Sequence, residues 1–288
     1  MTLLSIPNVS EGARPEVVDG LAERVRATAG RVLDIHRDPV HNRSVLTCTA
    51  DPEGLIDSMT TLALEAARVI NLSDHRGVHP RIGALDVCPV VPHGESIETA
   101  TRVAGALADS IGNAGLPVYL YGDAAERAAT RELPDIRRGG IEGLIERSRS
   151  GLPPDRGPGE IDPARGVVCV GARGPLIAFN VWLVADVSTA RAIARQIRTA
   201  SGGPPGIRAL GLRMDEGISQ VSMNLTRPDR MGIDDAFSLV EQAAQARGAA
   251  VRATEIVGLV EEIYLPNPDA TAARLLIEPG RTVESLLS

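Results

Sequence analysis

Two short stretches hold four of the chain's five histidines. The first runs Asp34-Ile35-His36-Arg37-Asp38-Pro39-Val40-His41-Asn42-Arg43, the second Asp74-His75-Arg76-Gly77-Val78-His79-Pro80-Arg81. Polar loops rich in Pro and Gly between apolar elements are common places for sites. A neutral imidazole can take up and return a proton near pH 7, so general acid–base catalysis is the first chemistry to consider. Asp34, Asp38, Asp74 and Asp86 are available to orient such a histidine. The plainer alternative is a surface histidine bonded only to its own loop. His75 and His79 have the i,i+4 spacing that binds zinc on a helix. Gly77 and Pro80 argue against a helix there, and no third ligand stands at a diagnostic spacing, so no metal is expected.

Arg37, Arg43, Arg76 and Arg81 lie among the histidines, and Arg173 and Arg213 lie in or beside later strand-like runs. A guanidinium grips a carboxylate in a bidentate fork, so several around one groove suit a dicarboxylate. Taken singly, each is as well explained as a solvated surface charge. There is no GxxxxGK[ST] loop, no GxGxxG between a strand and a helix, and no GxSxG elbow. Cys48, Cys88 and Cys169 each sit in an apolar run, with an odd count and no close spacing. They read as reduced, packed thiols rather than a disulfide or zinc framework, with a nucleophilic cysteine as the minor alternative.

The elements that must position these groups follow from periodicity. In the second half, 176–184 reads as a strand and 189–199 as a helix with Ser188 as its N-cap. Residues 207–214 and 218–225 read as a hairpin about Asp215-Glu216-Gly217, 234–247 as a helix and 251–259 as a strand. That order is βαββαβ, the split β-α-β or ferredoxin-like arrangement. The first half repeats it with strands 3–7, 31–36 and 44–50 and helices 14–28 and 52–70. Val45, Pro52 and Glu65 recur as Val221, Pro228 and Glu241, each 176 positions later, which suggests an internal duplication. A polar loop, 71–83, then precedes strand 84–91, helix 96–113, strand 117–121 and a helix over 124–131. The Pro- and Gly-rich stretch 148–166 reads as a loop or linker. The expected fold is α/β (α+β sandwich-like), with an N-terminal subdomain 1–172, including a linker 148–172, and a C-terminal subdomain 173–288. A groove between them would suit a small molecule.

Composition excludes several classes. The 288 residues are 43% hydrophobic and 23% charged, and the formal net charge is −7. Duplex binding normally needs a basic excess, so nucleic acid is not an expected partner. No apolar run approaches the about 18 residues of a membrane span. The N-terminus lacks the basic region of a signal peptide, so the expected location is the cytoplasm.

Several segments together resemble one family. IPNVSEG (residues 6–12), the Asp34–Thr47 stretch DIHRDPVHNRSVLT and HRGVHPRIGALDVCPVVP (75–92) are similar to signature segments of the formiminotransferase domain of glutamate formiminotransferases. GARGPLIAFNV (171–181) and QVSMNLTRP (220–228) resemble its second subdomain. The similarity runs unbroken over roughly residues 3–260. It implies two α/β subdomains with a folate site between them, usually in a homodimer. It also implies a reaction of one-carbon metabolism and histidine degradation: formiminoglutamate plus tetrahydrofolate gives glutamate plus 5-formiminotetrahydrofolate. Some members move a formyl group instead. Tetrahydrofolate is a co-substrate and no metal is implied. Animal members carry a fused cyclodeaminase domain, for which this chain is too short, so a separate enzyme is expected to finish that pathway.

The family's catalytic histidine lies in its HPR motif, matching His79. His36 and Asp34 are the other catalytic candidates. Carried onto this chain, the folate and amino-acid contacts fall on Asn8, Asn42, Arg43 and Arg81 in the first half. Asp155, Gly157 and Pro158 follow in the linker, and Arg173, Asn180 and Asn224 beyond it. Three positions depart from the pattern. His36 stands where animal members have an acidic residue. Arg156 replaces the aromatic ring of the linker's Asp-aromatic-Gly-Pro, and Gly174-Pro175 replaces bulkier residues.

Overall fold

The computed structural model describes residues 2–77 and 81–287. The chain divides into two compact units, residues 1–173 and 174–288. The first opens with β1 (Thr2–Ser5), β2 (Asn8–Val9), α1 (Pro15–Arg26), β3 (Arg31–Asp38), β4 (Arg43–Ala50), α2 (Pro52–Val69) and β5 (Leu85–His93). This is the expected split β-α-β order, with β1 and β2 antiparallel between β4 and β5, and β3 outside β4. Helix α2 starts where Asp51 caps it, its carboxylate accepting from Gly54 N at 2.8 Å ahead of Pro52 in the first turn. At α1 the residue before the helix makes no side-chain cap. Glu11 replaces it: one carboxylate oxygen accepts from the backbone N–H of Gly12, Ala13 and Arg14 at 2.9–3.0 Å, where the helix dipole favours an anion.

The sheet then extends with parallel strands. Helix α3 (Ile97–Asn113), capped by Ser96, leads to β6 (Val118–Gly122). Helices α4 (Leu133–Ile136) and α5 (Gly140–Arg149) lead to β7 (Val168–Ala172), which runs parallel between β5 and β6. Two expectations are corrected here. The end of the 148–172 linker is an interior strand of the first unit, packed on both faces. The 124–131 stretch holds only a short 3-10 turn over Ala128–Thr130, because the chain folds back so that Gly122 N reaches Arg131 O at 2.9 Å. Helices α1–α3 cover one face of the sheet, burying Leu21, Met59, Leu62, Leu107 and Leu46. Helices α4 and α5 cover part of the other with Ile136 and Leu144 over Tyr119, Tyr121 and Cys169.

The second unit contains β8 (Ile177–Val184), α6 (Val187–Ile197), β9 (Ile207–Asp215), β10 (Ile218–Leu225), α7 (Ile233–Gln245) and β11 (Ala250–Val257). Its antiparallel order β11-β8-β10-β9 is that of a split β-α-β unit. Phe179, Val181, Val221 and Met223 face α6 and α7 across the core. The cap of α6 is Asp186 rather than Ser188: its carboxylate accepts from Thr189 N and also from the Ser188 hydroxyl, both at 2.8 Å, so the helix begins earlier. The tail, with α8 (Thr271–Arg274) and α9 (Glu284–Leu287), runs back along β11. Thr254 N donates to Leu275 O and Ile277 N to Thr254 O, covering an edge that would otherwise be open.

Candidate functional site

Strand register decides which loop residues share a face. His36 lies opposite Val45, Val45 opposite Asn8, and Asn8 opposite Val87. Asp34 lies opposite Thr47, and Asp38 opposite Arg43. Registered partners project to the same side of a sheet. Leu46 and Cys48 of β4 point to the α1–α3 core. Asn8, Asp34, His36, Asp38 and Arg43 are therefore on the opposite face. Two of these side chains are deeply buried, Asn8 and Asp34. Asn8 donates to Ile6 O at 2.9 Å, while its carbonyl oxygen has no partner among the described residues. The pairing of β2 with β5 steps from Val87 to Leu85, leaving Asp86 as an extra residue. A bulge of this kind re-aims a side chain. Asp86 accepts from Ile82 N at 2.8 Å and meets the Arg137 guanidinium, which arrives from the end of α4.

Arginines and carboxylates are interleaved here. Burial and then the Arg137 charge lower Arg43, Asp86 and Asp38 work against both, and the net result is about 10. Arg81 is also lowered by burial, with Asp86 opposing. Arg43 remains a cation at neutral pH. Burial would raise the Asp38 carboxyl, but bonds from the His41 ring and from the His41 and Val40 backbone hold it below its ordinary value. Tyr121, buried in the same part of the sheet, is pushed up to about 12.

The loop that enters the second histidine stretch is fastened to the first. Asn42 has a positive φ of 47°, and its amide oxygen accepts from Gly12 N at 2.9 Å and Ala13 N at 3.1 Å. Its amide nitrogen donates to Arg76 O at 2.8 Å. His75 Nε2 donates to Asn42 O at 2.7 Å, which fixes the tautomer and leaves Nδ1 buried with no donor among the described residues. Gly77 packs on the same turn, where an added Cβ would lie 2.3 Å from His41 O. Arg81 returns to the loop, donating to His75 O at 3.0 Å. Burial lowers the His75 pKa, with the nearby charge of Arg81 adding to it. The sign follows. Because the folded state resists protonation that the unfolded chain accepts, His75 contributes stability above about pH 6.5 that is lost on acidification. We expect the midpoint temperature of the native protein to fall below that pH, and His75→Gln, which keeps the donor to Asn42 O, to flatten the fall. An unchanged pH–stability curve in His75→Gln would refute it.

With this geometry in hand, comparison with known proteins assigns the chain. Residues 2–173 match the model of the formiminotransferase domain, N-terminal subdomain, and residues 178–267 that of the formiminotransferase domain. The chain belongs to the formiminotransferase family. It is 35% identical to a glutamate formimidoyltransferase of Streptococcus pyogenes serotype M1, over 95% of this chain and 96% of that protein. It is 36% identical to one from Thermoplasma acidophilum, over 89% and 87%. It is also 37% identical to the formimidoyltransferase-cyclodeaminase of Sus scrofa over 88% of this chain, spanning 49% of that longer relative.

The fold brings Asn8, Asp34, His36 and Arg43 onto one face of the first unit. His79 lies outside the described residues. Asn42 spends its side chain on backbone groups, as above. Asp155, Gly157 and Pro158 are at the β6 edge of the sheet, the edge farthest from β3. Asp155 accepts from Leu120 N and from the Arg127 guanidinium, both at 2.8 Å, so its carboxylate is engaged in holding the linker to β6. Gly157 is required there, since its φ is +78° and a Cβ would lie 2.2 Å from Leu116 O. The Arg156 guanidinium reaches Asp109 at 2.5 Å and Glu126 at 2.6 Å. Arg173 closes the first unit with its N–H toward Val90 O. In the second unit Asn180 is buried and donates to Glu255 at 2.9 Å, and Asn224 is exposed on the same face of the sheet, away from α6 and α7. The sequence reading missed Arg137 and Glu11. An acidic residue directly before a helix was a readable signal for Glu11; Arg137 carried none. All three cysteines are buried and free, with thiols raised by burial, so they behave as packed hydrophobes. Among the described residues no cluster of His, Cys, Asp or Glu is arranged to hold a metal ion, and no helix is long and apolar enough to cross a membrane.

Proposed function

We propose that this chain transfers the formimino group of N-formimino-L-glutamate to N5 of tetrahydrofolate. The observation that carries the reading is the near full-length match to glutamate formimidoyltransferases. The guanidiniums of Arg43 and Arg81, both near Asp86 in the first unit, support it, since a guanidinium grips a carboxylate in a fork.

In this reading folate N5 attacks the amidine carbon and the N5–C bond forms. N5 becomes cationic and gives up its proton to a base. The C–N bond to glutamate then breaks as the departing nitrogen takes a proton. One histidine beside both nitrogens serves both steps, and the HPR motif assigns that role to His79. Holding the two substrates side by side supplies much of the remaining acceleration. His36 and Asp34, on the polar face, would tune the site. Asn8, Arg43, Arg81 and Arg173 would contact substrate from the first subdomain, and Asn180 and Asn224 from the second. Asp155, Gly157 and Pro158 would shape the folate contact through the fixed linker. A cytoplasmic homodimer using no metal belongs to the same proposal.

The deciding experiment is a steady-state assay with formiminoglutamate and tetrahydrofolate, following 5-formiminotetrahydrofolate by absorbance. Saturable turnover is expected. Turnover with formylglutamate alone would move the reading to a formyl donor, and turnover with neither would end it.

A further inference from the structure

Residues 10–13 bond to both ends of the segment that carries His79. At its entry, Gly12 N and Ala13 N donate to the Asn42 amide oxygen at 2.9 and 3.1 Å, and the Asn42 amide donates on to Arg76 O at 2.8 Å. At its exit, Ser10 N donates to Ala84 O at 2.9 Å and the Ser10 hydroxyl donates to Gly83 O at 2.7 Å. The backbone bond continues the pairing of β2 with β5, in which Val9 lies opposite Leu85. The hydroxyl bond is no part of that ladder, and Ser10 is almost completely buried.

The anchor is itself fixed on several sides. Glu11 O accepts from the buried Ser44 hydroxyl of β4 at 2.6 Å, and the Glu11 carboxylate holds the Gly12, Ala13 and Arg14 N–H groups. Gly12 lies so close to the turn between β3 and β4 that an added Cβ would stand 2.4 Å from Asp38 O. At Gly83 an added Cβ would stand 1.9 Å from Val167 O, so the exit is held between Ser10 and the chain entering β7. Capping of α1 accounts for Glu11. It accounts neither for Asn42 turning to the same N–H groups nor for Ser10 reaching Gly83.

We propose that Ser10 is a positioning residue: it pins the exit of the His79 segment to the same short anchor, residues 10–13, that holds the entry through Asn42. Its effect on the reaction is indirect, through the frame from which His79 works. The proposal rests on the formimino-transfer reading for the role of His79.

The test compares Ser10→Ala with the native chain in steady-state kinetics and in amide hydrogen exchange. In Ser10→Ala, kcat falls about tenfold, as it does when a catalytic group is slightly displaced, and KM for formiminoglutamate and for tetrahydrofolate stays within a few-fold. Exchange over residues 72–84 rises, a readout that needs no turnover. Ser10→Cys keeps the volume and a weak donor, so it falls between the two and serves if Ser10→Ala does not fold. Thr49→Val removes another buried hydroxyl bond of the same sheet, to Leu3 O at 3.0 Å, and should lower the denaturant midpoint with native kcat. Because one anchor serves both ends, the Ser10→Ala/Asn42→Ala double variant loses less kcat than the product of the two single losses. Native kcat or unchanged exchange in folded Ser10→Ala overturns the inference. So does an equal loss of kcat in Thr49→Val, or a double variant that loses the full product. Raised exchange in a chain without turnover leaves the anchor standing and removes the formimino-transfer reading.

Discussion

His79→Ala is expected to lower kcat by about 10²–10⁴ while leaving folate affinity within a few-fold. The argument begins with the reaction. Proton removal from N5 and proton delivery to the departing glutamate nitrogen are opposite tasks within one turnover, and a group with a pKa near neutrality can alternate between them. Histidine has that property unperturbed, whereas the arginines of this region remain cations and the cysteine thiols are raised by burial. The residues that precede and follow the HPR start are well anchored. Arg76 O accepts from Asn42, Gly77 packs on His41 O, and Arg81 bonds to His75 O. His79→Asn should be as slow as His79→Ala, because it keeps hydrogen bonding but cannot carry the proton. The native pH–rate profile should show an ionisation near neutrality that both variants lack. Near-native kcat in His79→Asn together with an inactive His36→Ala would move the proton shuttle to His36, on the polar sheet face.

How much of this was legible in the sequence depended on distance along the chain. The second unit was readable because each element carries a local signal: alternation in β8 and β10, a Gly turn at Gly217, and helix caps. Only the cap of α6 was misplaced, since Asp186 and Ser188 are both good caps and the carboxylate reaches Thr189 N. The parallel strand β7 was read as linker within the first subdomain and not as a strand of its sheet. It is five residues long, follows a Pro- and Gly-rich stretch, and takes its meaning from pairing with β5 about 80 residues earlier, which periodicity does not encode. The same limit applies to the candidate site. Histidine- and arginine-rich loops announce themselves by residue type. Asp86 is aimed by a bulge and Arg137 is delivered by a four-residue helix, so their meeting is a product of long-range packing. Nor did residue type at Asp155 announce that its carboxylate holds the linker to β6.

Asn42 separates a ligand contact from a clasp, and the two readings predict different results. Its amide oxygen already accepts two backbone N–H groups, and its amide nitrogen already donates to Arg76 O. Little of it is left for a substrate. Asparagine also tolerates the left-handed backbone at φ 47° better than alanine does. Asn42→Ala therefore loses three partly exposed hydrogen bonds and adds backbone strain, a combined cost of about 2–4 kcal/mol. Asn42→Gly loses the same bonds without the strain and should recover about 1 kcal/mol of that. Denaturant midpoints with unchanged slopes measure both. Because the Arg76–Gly77 backbone leads directly into His79, losing its tether should also lower kcat about tenfold, as a small displacement of a catalytic group does. The KM for formiminoglutamate should stay within a few-fold, since the clasp holds the loop and not the ligand. A large rise in KM with native kcat and native stability would show the opposite: that Asn42 releases its backbone partners to bind substrate, and that the turn is held by His75 and Gly77 alone.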